Sequence, residues 1–296
     1  MRLLTYTATA ADTGKKVKHL LRGELQLSYT LMKSLKWRQH AILLNGQPCT
    51  VAAVIHSGDV LTVNITDTST LSPHIAPVSL PLDIVWEDED LLILNKPAGI
   101  AVHSAALTEE TVTIAGAVSH YLGGNSFHPV NRLDKGVSGL MVIAKNGHAH
   151  DLCMKLLHTE KFQREYRGIC EGIPSPARST IDLPIGRDPA SVVRRCIAPD
   201  GLEAHTCYEV LSTFGQRALL RLQPLTGRTH QLRLHCAAMG HPLVGDWLYG
   251  TEVPDLITRP ALHSYELWLC HPLSHENIHL TAPLPEDMAQ LITLPQ

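Results

Sequence analysis

The sequence predicts an α+β protein in two unequal parts, a small head and a larger body. Three observations carry this. Short apolar runs that read as strands recur along the whole chain, between segments with helical spacing. A polar stretch with three prolines, placed at residues 67–81, separates a head of residues 1–66 from a body of residues 82–296. Charge divides near the same place: residues 1–70 carry eight Lys/Arg and four Asp/Glu, whereas the remainder carries 17 and 24.

Composition narrows the function classes. The 296 residues, 44% of them hydrophobic, can build a real core. No apolar run approaches a membrane span, and the N-terminus lacks the apolar core of a signal peptide, so a cytoplasmic protein is expected. Seven cysteines form no CxxC pair, which predicts free thiols. The 18 histidines include no HExxH and no paired ligand spacing, so no metal is expected. A net charge of −3 argues against coating nucleic acid by bulk charge.

In the head, residues 15–21 start a basic amphipathic segment. Ser28 can cap a second helix from Tyr29 to Trp37, with Leu27 stapled onto Met32. Leu31 and Leu35 share one face, leaving Lys33, Lys36 and Arg38 for the other. Asn45-Gly46 predicts a hairpin turn, and Gly58-Asp59 turns into a strand over 60–65. The order of these elements resembles the S-four-like RNA-binding module, named after a small-subunit ribosomal protein. A small appendage with a solvated basic face is the other reading.

The body opens with a hairpin over 82–86 and 91–96, then a helix over about 110–121. Asn131-Arg132-Leu133-Asp134-Lys135-Gly136-Val137-Ser138-Gly139 follows, turn-rich and bearing a cation and a carboxylate two residues apart. The apolar run after it reads as a buried strand, so Asp134 is expected at a sheet edge, where reactive groups are often displayed. By itself Asp134 reads first as a turn carboxylate capping the loop. Asn146 can cap a helix whose Ala149, Leu152, Cys153, Leu156 and Leu157 form a core-facing stripe. Residues 162–170 read as a strand with Arg164, Tyr166 and Gly168 on one face, and 173–201 as an excursion. Strands are expected near 204–212 and 217–223.

In Thr226-Gly227-Arg228-Thr229-His230-Gln231-Leu232, Thr229 suits a helix N-cap, with Gly240 and Pro242 at the far end. Leu232, Cys236 and Met239 share a face. Arg228, just before the helix, would favour an anion there.

The segments LLILNKPAGIAVH, NRLDKGVSGLMVIAKN, REYRGICEG, LTGRTHQLRLHCAAMGHPLVGDWLYG and RPALHSYELWLCHP resemble, in that order, the RluA-like RNA pseudouridine synthases. The resemblance implies a mixed, mainly antiparallel sheet bent around a central cleft with flanking helices. It implies that Asp134 is the essential aspartate and Tyr166 the ring that stacks on the target base. It also makes Arg228 the basic partner of Asp134, and Leu232 the residue packed beneath Tyr166. Asn131 stands where the family usually has His, and Arg164 where it more often has Lys.

The implied reaction detaches uracil from ribose, turns it and rejoins it through carbon, so no cofactor is expected. A carboxylate can serve as nucleophile or base. Inside a closed site it needs a nearby cation to stay ionised. The base must leave the RNA stack, at a cost of a few kcal/mol, and stacking on an aromatic ring returns about 1–3 kcal/mol. Arg132 is a candidate to contact phosphate or fill the gap left by the base. The expected partner of a monomeric enzyme is structured RNA, ribosomal before transfer RNA. A non-catalytic RNA-binding or assembly factor is the rival reading. A glycoside hydrolase would need a second acid in a comparable turn, and none is evident.

Overall fold

The computed structural model describes residues 1–67, 75–104, 112–124 and 127–293. The first part of the expected 110–121 helix and much of the proline-bearing stretch lie outside them.

The head carries β1 (Leu3–Thr7), α1 (Val17–Arg22), α2 (Tyr29–Leu35), β2 (Ile42–Leu44), β3 (Gln47–Pro48) and β4 (Val60–Asn64). Its four-stranded antiparallel sheet runs β1-β4-β2-β3. Ser28 caps α2, its Oγ accepting the Leu31 N–H at 3.2 Å. Met32 and Leu35 are the buried positions of that helix, while Leu31 packs only partly. With Leu20, Leu21, Leu27, Leu61 and Val63 they form a core separate from those of the body. Arg2 joins head to body: its guanidinium donates to both oxygens of the buried Asp90, at 2.8 and 2.7 Å.

The body contains β5 (Ile84–Glu87), β6 (Leu91–Lys96), α3 (Ile114–Tyr121), β7 (His128–Pro129), β8 (Ser138–Ala144) and α4 (Gly147–Leu156). Then come β9 (Phe162–Glu171), β10 (Arg178–Asp182), β11 (Ile185–Arg187), β12 (Arg195–Ile197), β13 (His205–Phe214) and β14 (Arg217–Pro224). It closes with α5 (Gln231–Ala238), β15 (Leu262–Cys270), β16 (Asn277–Thr281) and α6 (Glu286–Thr293). Ten strands form one sheet, ordered β10-β13-β14-β9-β15-β8-β6-β5, with β16 on β15 and β7 on β8. Every pairing is antiparallel except β15 with β8.

Central strands are apolar on both faces because both are covered. Leu92, Leu94, Met141, Ile143, Tyr166 and Leu222 meet α3 and α5 on one side. Leu91, Ile93, Leu140, Val142 and Phe162 meet Ala149 and Cys153 of α4 on the other. Asn146 caps α4 as its sequence predicts, accepting the Ala149 N–H at 2.8 Å. Residues 75–81 do not hang free: the Val78 N–H donates to the Gly116 carbonyl at 3.1 Å. All seven cysteines are free. Among the described residues no helix is long and apolar enough to cross a membrane.

The parallel contact of β15 with β8 is the seam of the sheet. It is short, pairing His263 with Ser138 and Ser264 with Gly139. Gly139 is expected from sequence to bend a turn; it lies instead inside β8, at φ 109°, where an added Cβ would sit 2.2 Å from the Ser264 carbonyl oxygen. Only glycine allows the two strands this close. Tyr166 pairs with Ser264 from the other side, so Tyr166, Ser264 and Gly139 form one row across three strands.

Candidate active site

Asp134 lies in the loop that enters β8 at this seam. Its neighbours Leu133 and Val137 are buried in the same cluster as Tyr166 and Leu232. Three clamps hold the loop. The Val137 N–H closes the turn on the Asp134 carbonyl at 3.0 Å. The Lys135 carbonyl accepts from the Gly99 N–H at 2.8 Å and from Lys96 Nζ at 3.4 Å. Arg259 Nη1 donates to the Gly136 carbonyl at 3.4 Å while its Nε and Nη2 grip Asp287 of α6 at 2.7 Å. Asn131 contributes on the strand side. Its amide accepts the Val142 N–H at 2.7 Å and faces the Leu140 carbonyl, so it satisfies the β8 edge as a backbone would.

Lys96 was not singled out from sequence, although a lysine ending an apolar strand is a signal. It is fully buried, and its ammonium donates to the carbonyls of Pro97, Ile100 and Lys135. Burial pulls it down to about 8 despite the nearby Asp134 carboxylate.

The basic partner of Asp134 is Arg233, not Arg228. Arg233 Nη1 donates to Asp134 Oδ2 at 3.1 Å. Its other nitrogens grip Asp246 at 2.8 and 2.7 Å. Asp246 is fully buried and also accepts the N–H groups of Leu248 and Tyr249. Burial alone would lower the Arg233 guanidinium, but these carboxylates more than offset it and hold it above its ordinary value. Arg228 turns away, its Nε donating to the Glu203 carbonyl at 2.8 Å. The helix starts one residue later than predicted. His230, at φ 58°, precedes it, and the Gln231 side chain accepts the Arg228 N–H in place of a Thr229 cap. Arg233, one position beyond the core residue Leu232, reaches the Asp134 loop from inside this helix.

Tyr166 is buried and its hydroxyl has no hydrogen-bond partner among the described residues, yet it is not sealed from solvent. Arg164, two residues before it, is buried with an unpartnered Nε, at 5.9 Å from the Phe162 ring. Arg132 is exposed beside the loop. In the head Lys33 and Lys36 are exposed, flanking the fully displayed Trp37, whereas Arg38 is partly spent on the Thr66 carbonyl at 2.7 Å.

A metal does not fit the one cluster of suitable donors among the described residues, Asp88, Asp90 and His271. His271 Nδ1 accepts the N–H groups of Leu273 and Ser274, so Nε2 must carry the proton and cannot ligate. Both Asp90 oxygens are already held by Arg2.

Comparison with known proteins decides the family. The model of the RNA pseudouridylate synthase family matches residues 90–238, a span that includes Asp134, Tyr166 and Arg233. The chain belongs to the RNA pseudouridylate synthase family. It is 36% identical over 273 residues to the uncharacterized RNA pseudouridine synthase YjbO of Bacillus subtilis, covering 91% of this chain and 96% of that one. It is 33% identical to ribosomal large subunit pseudouridine synthase D of Escherichia coli, covering 98% and 93%. Human RNA pseudouridylate synthase domain containing 1 superposes with a TM-score of 0.56 at 29% identity, over 69% of this chain and 83% of that one. This enzyme is therefore an isomerase of uridine in RNA, and the mainly antiparallel sheet is the one its family shares.

Proposed function

We propose that this RNA pseudouridylate synthase modifies large-subunit ribosomal RNA and that Asp134 is its essential catalytic residue. One observation carries the catalytic assignment: a buried guanidinium, anchored on Asp246, reaches across to the Asp134 carboxylate at the seam. Arg233 places a positive charge 3.1 Å from that carboxylate, and a carboxylate can attack either the sugar or the ring. Tyr166, over Leu232, supplies the stacking face for an extruded uracil. Arg132 and Arg164 hold the flanking RNA strand as cations near the site. Residues 1–66 act as an S-four-like RNA-binding domain, joined through 67–81 to a catalytic domain of 82–296. Lys33, Lys36 and Arg38 of the head contact phosphate. The head-to-tail match to a synthase named for the ribosomal large subunit supports the choice of RNA.

The test is Asp134→Asn with RNA carrying 5-tritiated uridine, since forming a bond at C5 releases that hydrogen. We expect no tritium release with folding and RNA binding intact; undiminished release would refute the assignment. Mapping modified uridines in cells with and without the gene names the RNA.

A further inference from the structure

His230 and Tyr249 form a chain of contacts that ends on the candidate catalytic carboxylate. The Arg195 N–H of β12 donates to the Tyr249 hydroxyl oxygen at 2.9 Å. That hydroxyl lies 2.9 Å from His230 Nδ1. His230 Nε2 faces Asp134 Oδ2 at 3.9 Å, the oxygen that Arg233 already holds at 3.1 Å. The rings of His230 and Tyr249 meet edge to face at 5.7 Å, and the Arg233 guanidinium lies 5.4 Å from the Tyr249 ring.

Proton accounting orders this chain. The Tyr249 oxygen accepts from Arg195, and the only acceptor within its reach among the described residues is His230 Nδ1. If Tyr249 donates there, Nδ1 is bare and Nε2 carries the ring proton. The opposite tautomer would leave the hydroxyl hydrogen without an acceptor. Burial lowers His230, and Arg233 and Arg195 lower it further against the pull of Asp134 and Asp246, so the ring stays neutral with one N–H to give. The left-handed backbone at His230 sets the ring at this angle.

Resting on the assignment of Asp134 above, we propose that His230 is a positioning residue for it. Its Nε2–H, fixed by Tyr249 and through it by the β12 excursion, closes on Oδ2 when RNA is bound. Hydrogen bonds of this kind are commonly long in ligand-free sites and tighten with substrate. Oδ2 is then committed to Arg233 and His230, and Oδ1 alone is presented to the nucleoside. The β11–β12 hairpin, outside the main sheet, thereby tunes the reacting carboxylate.

The experiment uses the full-length protein and two variants. Asn tolerates positive φ, so His230→Asn keeps the turn and removes the ring. Tyr249→Phe keeps the ring contacts and removes the hydroxyl. The substrate is total RNA labelled with 5-tritiated uridine in cells lacking the gene. In single-turnover assays we expect Tyr249→Phe to slow tritium release about tenfold and His230→Asn about a hundredfold, with RNA affinity within about twofold. The double variant should be no slower than His230→Asn. Nitrogen-15 spectra of the RNA-free protein should show His230 protonated at Nε2, and mixed tautomers in Tyr249→Phe. Multiplicative losses in the double variant, an Nδ1-protonated wild type, or full activity of His230→Asn would overturn the proposal. Should His230→Asn fail to fold, Tyr249→Phe and the spectra still decide. An inactive Asp134→Asn beside a fully active His230→Asn removes only this inference. An active Asp134→Asn removes the underlying assignment, and the positioning role with it.

Discussion

Asp134 and Arg233 stand 99 positions apart in the chain and 3.1 Å apart in the fold. The arginine reaches the loop because Asp246 fixes its other edge, with two short bonds inside a fully buried site. A guanidinium can hold one carboxylate through its fork and reach a second with its remaining nitrogen; an ammonium lacks that fork.

Arg233→Lys should therefore keep a charge near Asp246 and stay folded while losing most pseudouridine formation. Arg233→Gln should also lose about 3–5 kcal/mol of stability, because Asp246 is left buried and unpaired. Arg228→Gln should retain far more activity than either. Single-turnover rates and urea unfolding on the three proteins check this order; equal losses at 228 and 233 would contradict it.

Tyr166 gives a second contrast. Its hydroxyl holds no partner among the described residues, so Tyr166→Phe should fold normally and lose little if stacking is its main role. Tyr166→Ala gives up about 1–3 kcal/mol of stacking and leaves a cavity beside Leu222 and Leu232, so activity and stability should both fall. Equal rate losses in Phe and Ala would assign the role to the hydroxyl.

The seam has its own test. Gly139→Ala drives a Cβ into the Ser264 backbone at an unfavourable φ, and we expect a loss of about 3 kcal/mol or more. Gly46→Ala, also at positive φ but facing open space, should cost only about 1 kcal/mol. Urea denaturation compares them.

Acid should weaken the fold in a defined window. Burial holds His148 and His263 at about 4, below the ordinary 6.5. The unfolded chain then binds protons first, so stability is full above pH 6.5 and is lost as pH falls towards 4. Each imidazole accounts for about 2 kcal/mol of that loss by pH 5. His148, with neither ring nitrogen hydrogen-bonded among the described residues, is the simpler probe. His148→Leu should shrink the stability difference between pH 7 and pH 5 by about that amount, measured by urea unfolding at both; an unchanged difference would sink the account.

For the head, Lys33→Ala with Lys36→Ala should weaken RNA binding and flatten its dependence on log salt by about 0.7–0.9 per lost phosphate contact. The rate on saturating RNA should not change. A lower saturated rate would mean that the head acts on chemistry as well as on binding.

Local order was legible from residue types alone. Ser28 and Asn146 cap helices where their side chains predict it. The apolar runs at 91–94 and 140–144 are strands buried on both faces. The turn around Asp134 and the strand after it are written in adjacent residues, but its candidacy came from the resemblance of the whole motif. What tertiary structure alone decided was which distant groups meet. Arg228 and Arg233 lie on the same short segment, and only packing decides that Arg233 meets Asp134 while Arg228 meets the Glu203 carbonyl. Lys96, His230, Tyr249 and Asp246 make their contacts between separate loops and α5, and spacing along the chain carries no record of those. The same holds for Gly139, whose purpose is the approach of a strand 125 residues away. Short-range propensity follows from each residue's own backbone and side chain. The pairing of charges follows from packing, which the whole chain settles together.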